Sequence, residues 1–172
     1  MAPHDRPPVR KSPRLNGFDY ATAGAYFVTI CTQRMEPRFG SVEAGVLMLN
    51  DAGRMVASHW EANIERYPDA MLDTFVIMPN HLHAILFLGS NPSMASPGTS
   101  LVQIVGSFKS LTTVTYARGV RDGLYDAFSG SLWQRSFYDR MLRDDRALDA
   151  ARLYIEGNPS RWEARTGSER GA

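Results

Sequence analysis

Two apolar runs, Leu72 to Met78 and His81 to Leu88, are separated only by Pro79-Asn80, and this constrains the chain more than any other feature. Pro-Asn is a turn pair, so the two runs read as strands folded back on one another in an antiparallel hairpin. Upstream, Tyr26-Phe27-Val28-Thr29-Ile30-Cys31-Thr32 is β-branched and aromatic, a further strand. Asn50 can cap a helix whose apolar positions Ala52, Met55, Val56, Trp60 and Ile64 recur with a period near 3.6, until Tyr67-Pro68 stops it. Ser100 with Gln103 forms a capping box ahead of Leu101, Ile104, Val105, Phe108 and Leu111, which predicts a second helix. Leu132 to Leu142 reads as a last strand, and Asp144 or Asp145 can cap a helix that ends at Gly157-Asn158-Pro159. The order strand, helix, strand, strand, helix, strand, helix predicts an α+β fold. It is a ferredoxin-like antiparallel sheet with helices on one face and one extra carboxyl-terminal helix.

A chain of 172 residues has room for one such domain with one well-buried core. Residues 1 to 24 carry Pro3, Pro7, Pro8 and Pro13 among basic residues without apolar periodicity, and read as a flexible basic arm. A single folded domain is then expected over 25–165, with a tail over 166–172. Nineteen Lys plus Arg against eighteen Asp plus Glu leaves +1, so whole-molecule charge neither demands nor excludes a nucleic-acid partner. Distribution says more: basic residues gather at the amino end and around Lys109 to Arg165, while Glu36 to Asp73 is acidic. Cys31, alone, cannot form an internal disulfide, and the first twenty residues lack a secretory apolar stretch, which predicts a cytoplasmic address. The longest apolar run, Ala84 to Leu88, is far short of the roughly twenty residues of a membrane-spanning helix.

His81 and His83 lie two apart on a strand, so both imidazoles leave the same face about 6.5 to 7 Å apart along the chain, able to converge on one ion. Leu82 between them points into the core. The same spacing equally suits two histidines facing solvent. On the last helix Tyr154 and Asn158 are four residues apart and share a face, beside a stripe of Ala147, Ala151 and Ile155 that packs on the sheet. Two imidazoles and an amide oxygen leave positions open on a divalent ion, which suits Mg²⁺ or Mn²⁺ better than a closed zinc site. Tyr154 also reads as an amphipathic core tyrosine and Asn158 as a helix terminator, and Tyr138 on the last strand is the rival nucleophile.

These residues carry a resemblance to a known family. Tyr26-Phe27-Val28-Thr29-Ile30, Val76-Ile77-Met78-Pro79-Asn80-His81-Leu82-His83, Gly106-Ser107-Phe108-Lys109-Ser110, Leu132-Trp133-Gln134-Arg135-Ser136-Phe137-Tyr138 and Tyr154-Ile155-Glu156-Gly157-Asn158-Pro159 are similar to successive motifs of the REP-associated tyrosine transposases, over about Lys11 to Trp162. These belong to the single-tyrosine HUH transposases. The resemblance implies that His81 and His83 are metal ligands, that Tyr154 is the nucleophile and that Asn158 completes the metal site. Gly157 departs from the pattern, since relatives often carry a larger residue there.

The resemblance further implies cleavage and rejoining of single-stranded DNA beside hairpin-forming repeats, through a 5′-phosphotyrosine and a free 3′-hydroxyl, with Mg²⁺ or Mn²⁺ polarising the scissile phosphate. Arg10, Lys11, Arg14, Lys109 and Arg135 are candidate DNA contacts. A non-catalytic RRM-like binding module is the rival from another class, because Gly24-Ala25-Tyr26-Phe27-Val28 is faintly similar to an RRM aromatic strand. That segment is the first strand, whereas RRM stacking aromatics belong on central strands, and it leaves the histidine pair without a role. A replication initiator or relaxase shares the chemistry but usually carries further domains. A domesticated nuclease with a host function fits as well as a mobile one, and both monomer and homodimer remain open.

Overall fold

The computed structural model describes residues 23–89 and 98–162, so Arg10, Lys11 and Arg14 of the expected arm lie outside the described residues. Six strands and three helices follow in order: β1 (Gly24–Cys31), β2 (Gly40–Glu43), β3 (Val46–Leu49), α1 (Asp51–Ile64), β4 (Ala70–Met78), β5 (His81–Leu88), α2 (Leu101–Arg121), β6 (Tyr138–Leu142) and α3 (Asp145–Glu156). β4-β5-β1-β6 form one sheet in which every neighbouring pair is antiparallel. With α1 and α2 as its two crossovers this is the ferredoxin-like arrangement that the order of elements predicts.

Period-two alternation sorts the side chains to the two faces. Tyr26, Val28 and Ile30 of β1 and Leu82, Ala84 and Leu86 of β5 are fully buried beneath α1 and α2, where Trp60 and Phe108 meet edge to face with ring centroids 4.8 Å apart. The opposite face carries Ala25, Ile85 and Leu142, and α3 covers it with Ala151 and Ile155. The expected caps are present. Asn50 Oδ1 accepts from Gly53 N–H at 2.8 Å, Ser100 and Gln103 close a capping box, and Asp144 Oδ1 accepts from Ala147 N–H at 2.7 Å.

α3 is tied down by an ion pair as well as by its apolar stripe. The register of β4 shifts between Leu72 and Thr74, and Asp73 at that bulge accepts from Arg152 Nε at 2.9 Å and Nη2 at 2.6 Å. A bulge re-aims one side chain out of the pleat, and a two-pronged Arg–carboxylate pair fixes orientation as well as distance. The helix is thereby held in one rotation over β4 and β5.

Four features differ from the sequence expectations. β2 and β3 form a separate two-stranded hairpin. Its turn has Ala44 and Gly45 both in the left-handed region, φ 51° and 73°, a conformation usually signalled by Asn-Gly or Asp-Gly rather than Ala-Gly. The last strand begins at Tyr138, not Leu132. Lys109 Nζ draws the carbonyls of Gln134 and Ser136 inward, at 2.8 and 2.9 Å, so residues 132–137 run as an irregular cover over the core, joined to the end of β1 by a Thr32–Trp133 bridge and by Gln134, whose N–H donates to the Cys31 carbonyl at 2.9 Å. α3 ends at Glu156 with Gly157 as its C-cap, as expected, but the chain does not leave the helical path there. Helical turns resume over 158–162, where Pro159 sits in a new first turn that does not use its missing N–H. Lastly, β1 is a central strand of the sheet, so its place in the chain does not argue against an RRM; α3 lying across the face an RRM leaves open does. No helix among the described residues is long and apolar enough to cross a membrane.

Candidate active site

Burial of Leu82 at 0% exposure on the α1–α2 side turns His81 and His83 together onto the α3 side. Both are nearly buried, at 8% and 7%, and their rings meet edge to face with centroids 4.5 Å apart. Each is fixed through Nδ1. His83 Nδ1 shares a 2.8 Å hydrogen bond with Thr29 Oγ1, its cross-strand partner in β1. His81 Nδ1 donates to Asn80 Oδ1 at 2.7 Å. An amide oxygen only accepts, so the proton of neutral His81 is on Nδ1 and the lone pair on Nε2. Asn80 is itself held: Nδ2 donates to the Met35 carbonyl at 2.8 Å, and its own carbonyl accepts from Thr32 N–H at 2.9 Å and Oγ1 at 3.0 Å. The turn that reverses the chain therefore also orients an imidazole.

From the other side, α3 lays Tyr154 against this pair. Its ring is 5.3 Å from that of His83 and 5.8 Å from that of Phe27, both edge to face. Arg161 places its guanidinium carbon 5.1 Å from the Tyr154 ring centre, and Trp162 stacks at a tilt on His81 at 5.7 Å. These two come from the helical turn beyond Gly157, so the segment carrying Asn158, itself 4% exposed, adjoins the histidines. Tyr154, rather than Tyr138, has its ring on His83; Tyr138 stands 55% exposed on β6. Thr29 and Asn80 lie inside the motifs quoted above without a role of their own there, and Arg161 and Trp162 lie in none of them. Asn80 alone, beside the histidine and in the turn, could have been found by asking what fixes the first imidazole.

Among the described residues no group of three or more His, Cys, Asp or Glu side chains is placed to hold a metal ion. The donor set on offer is thus two imidazoles, one with its tautomer set by Asn80, plus neutral oxygens. That set can hold a divalent ion that keeps positions for water or substrate oxygen, and does not make a closed zinc site.

A cleft of about 480 Å³ opens beside Tyr154. Phe27, Thr29 and His83 line it from β1 and β5, Tyr138, Asp139 and Arg140 from β6, and Ala150, Ala151 and Tyr154 from α3. Of the expected DNA contacts, Arg135 is exposed. Lys109 is differently engaged from a free phosphate contact. It donates to the carbonyls of Gln134, Ser136 and, at 3.4 Å, Arg135, and sits 5.7 Å from the Phe137 ring centre. Burial pushes the Cys31 thiol up, against the lowering pull of the Lys109 charge.

This sheet, its two crossover helices and the tyrosine-bearing third helix constitute a REP-associated tyrosine transposase-like fold. A REP-associated tyrosine transposase solved bound to a REP hairpin superposes with a TM-score of 0.59 at 17% identity, covering 86% of this chain and 73% of that one. A candidate transposase of Deinococcus radiodurans superposes with a TM-score of 0.50 at 14% identity, covering 83% of this chain and 95% of that one. At these identities the likeness is one of fold. In sequence, an uncharacterised protein of Haemophilus influenzae is 33% identical over 169 residues, 90% of each chain, and the two belong to one family. No protein-family profile matches the chain.

Proposed function

We propose that this protein is a single-tyrosine HUH nuclease and strand transferase that acts on single-stranded DNA beside hairpin-forming repeats. One observation carries the reading: a tyrosine from α3 lies with its ring 5.3 Å from the second of two histidines whose own rings are 4.5 Å apart. The fold shared with a transposase bound to a REP hairpin supports the choice of DNA as substrate.

Tyr154 Oη attacks the scissile phosphorus and displaces the 3′-oxygen of the upstream nucleotide, leaving a 5′-phosphotyrosine and a 3′-hydroxyl. The phenolic proton ends, directly or through water, on that departing oxygen. Because the covalent bond keeps the phosphodiester energy, a 3′-hydroxyl can attack it and rejoin strands without ATP. His81 and His83, with the Asn158 amide, would hold one Mg²⁺ or Mn²⁺, which when bound draws charge from the phosphate oxygens. Thr29 and Asn80 keep the imidazoles aimed, and the two-pronged Arg152–Asp73 pair keeps α3 in the rotation that brings Tyr154 to His83 of the same chain. That packing within one chain supports a tyrosine acting in cis, with one copy sufficing for one cleavage. Exposed Arg135 and the basic residues Arg10, Lys11 and Arg14 supply phosphate contacts, while Lys109 serves by shaping the 132–137 loop.

The test is incubation of a labelled hairpin with single-stranded flanks, drawn from repeats beside the gene, with Mg²⁺ or Mn²⁺. Wild type is expected to form a denaturation-resistant protein–DNA adduct, and Tyr154→Phe and His81→Ala to form none. Binding without cleavage in either metal would favour the non-catalytic module.

A further inference from the structure

We propose that the cleft between β6 and α3 is a base-binding subsite for one unpaired nucleotide next to the scissile phosphate, with Tyr138 as its stacking platform; this rests on the nuclease reading. The cleft's volume of about 480 Å³ falls in the range of small-ligand pockets, and His83 and Tyr154 are among the residues that line it. A nucleotide seated there has its phosphate beside the reactive phenol.

The walls favour a planar ring. Thr29 faces Tyr138 across β1 and β6, and Phe27 faces Arg140, so the lining alternates aromatic and polar groups on one face of the sheet. Tyr138 is 55% exposed, an aromatic surface that neither core uses. β6 is an edge strand, which lets a polynucleotide enter sideways rather than end-on. On the helix side, Ala150 and Ala151 leave the space open; longer side chains there would fill it. Arg140 stands two residues from Tyr138 on the same face, where its guanidinium can meet the backbone phosphate of the stacked nucleotide. Stacking on an aromatic side chain is tolerant of base identity, so the subsite positions the strand and leaves choice of sequence to other contacts.

The experiment uses the full chain carrying Tyr154→Phe, so that binding is read without turnover. Its probes are the repeat hairpin with 2-aminopurine, or an abasic site, at each flanking position in turn. One position is expected to show quenched fluorescence, and an abasic site there to weaken binding on the order of tenfold, as one lost base stack does. Tyr138→Ala should abolish that quenching and make the abasic site cost nothing further, Tyr138→Phe should behave as the parent, and Ala150→Trp, on an exposed helix position, should mimic Tyr138→Ala. Equal sensitivity at every flanking position, or losses from Tyr138→Ala and the abasic site that simply add, would overturn the subsite while leaving the nuclease reading intact. Failure of the unmodified hairpin to bind at all would overturn both.

Discussion

Replacing Asn80 with alanine separates orientation of the site from its mere presence. The substitution removes two hydrogen bonds, from His81 Nδ1 to Oδ1 at 2.7 Å and from Nδ2 to the Met35 carbonyl at 2.8 Å. Two such bonds contribute about 1–3 kcal/mol net. The ends differ, because Met35 is 44% exposed and its carbonyl can turn to water, whereas His81 is 8% exposed and its N–H is stranded. The expected cost is therefore about 2 kcal/mol, which for a domain of this size lowers Tm by roughly 4–8 °C. Freed of its acceptor, His81 can swap tautomer and turn, and Mn²⁺ affinity should fall about 10- to 100-fold, as when an orienting partner of a ligand histidine is removed. Asn80→Asp keeps an acceptor for Nδ1 but sets an oxygen against the Met35 carbonyl, so it should recover most of the metal affinity and little of the stability. Urea unfolding and calorimetric Mn²⁺ titration read the two effects apart. An Asn80→Ala protein that binds Mn²⁺ within twofold of wild type would refute the reasoning.

Lys109→Met leaves the carbonyls of Gln134 and Ser136 without their charged donor and should destabilise the fold by about 2–3 kcal/mol in denaturant unfolding, with the salt dependence of DNA binding unchanged. At Asp69, partial burial tends to raise the carboxyl pKa, but hydrogen bonds from Thr99 Oγ1 and N–H outweigh it and hold the pKa below its ordinary value. A folded-state pKa below the unfolded one stabilises above the unfolded value, near pH 4, and the gain is lost as pH falls through the folded value. The stability gap between wild type and Asp69→Asn should accordingly hold at neutral pH and close below about pH 4 in acid-unfolding series. Cis action predicts that mixing Tyr154→Phe with His81→Ala protein restores no adduct; restored adduct would mean that the tyrosine helix is exchanged between copies.

Much of the fold follows from short-range chemistry written along the chain. Asn50, Ser100 with Gln103, and Asp144 mark three helix starts correctly, because a cap acts within three residues of itself. Pro79-Asn80 likewise marks the β4–β5 turn. What sequence left obscure depends on distant partners. The 132–137 segment has the composition of a strand, but where its carbonyls point is decided by Lys109, more than twenty residues away. The β2–β3 hairpin lacks a turn signature since alanine occupies a left-handed position. For the site, spacing alone put His81 with His83 and set Tyr154 beside a packing stripe, while their meeting required α3 to cross the face opposite α1 and α2. Thr29 reaches His83 only through the β1–β5 register, and Arg161 and Trp162 reach the site only because the helix resumes after Gly157.

The central claim, that Tyr154 is the covalent nucleophile, is tested most directly by trypsin digestion of the adduct formed on hairpin DNA, followed by mass measurement of the nucleotide-bearing peptide. The account predicts the added mass on the peptide running from Leu153 to Arg161, which contains Tyr154 as its one tyrosine. Added mass on the peptide from Ser136 to Arg140, which contains Tyr138, would contradict it.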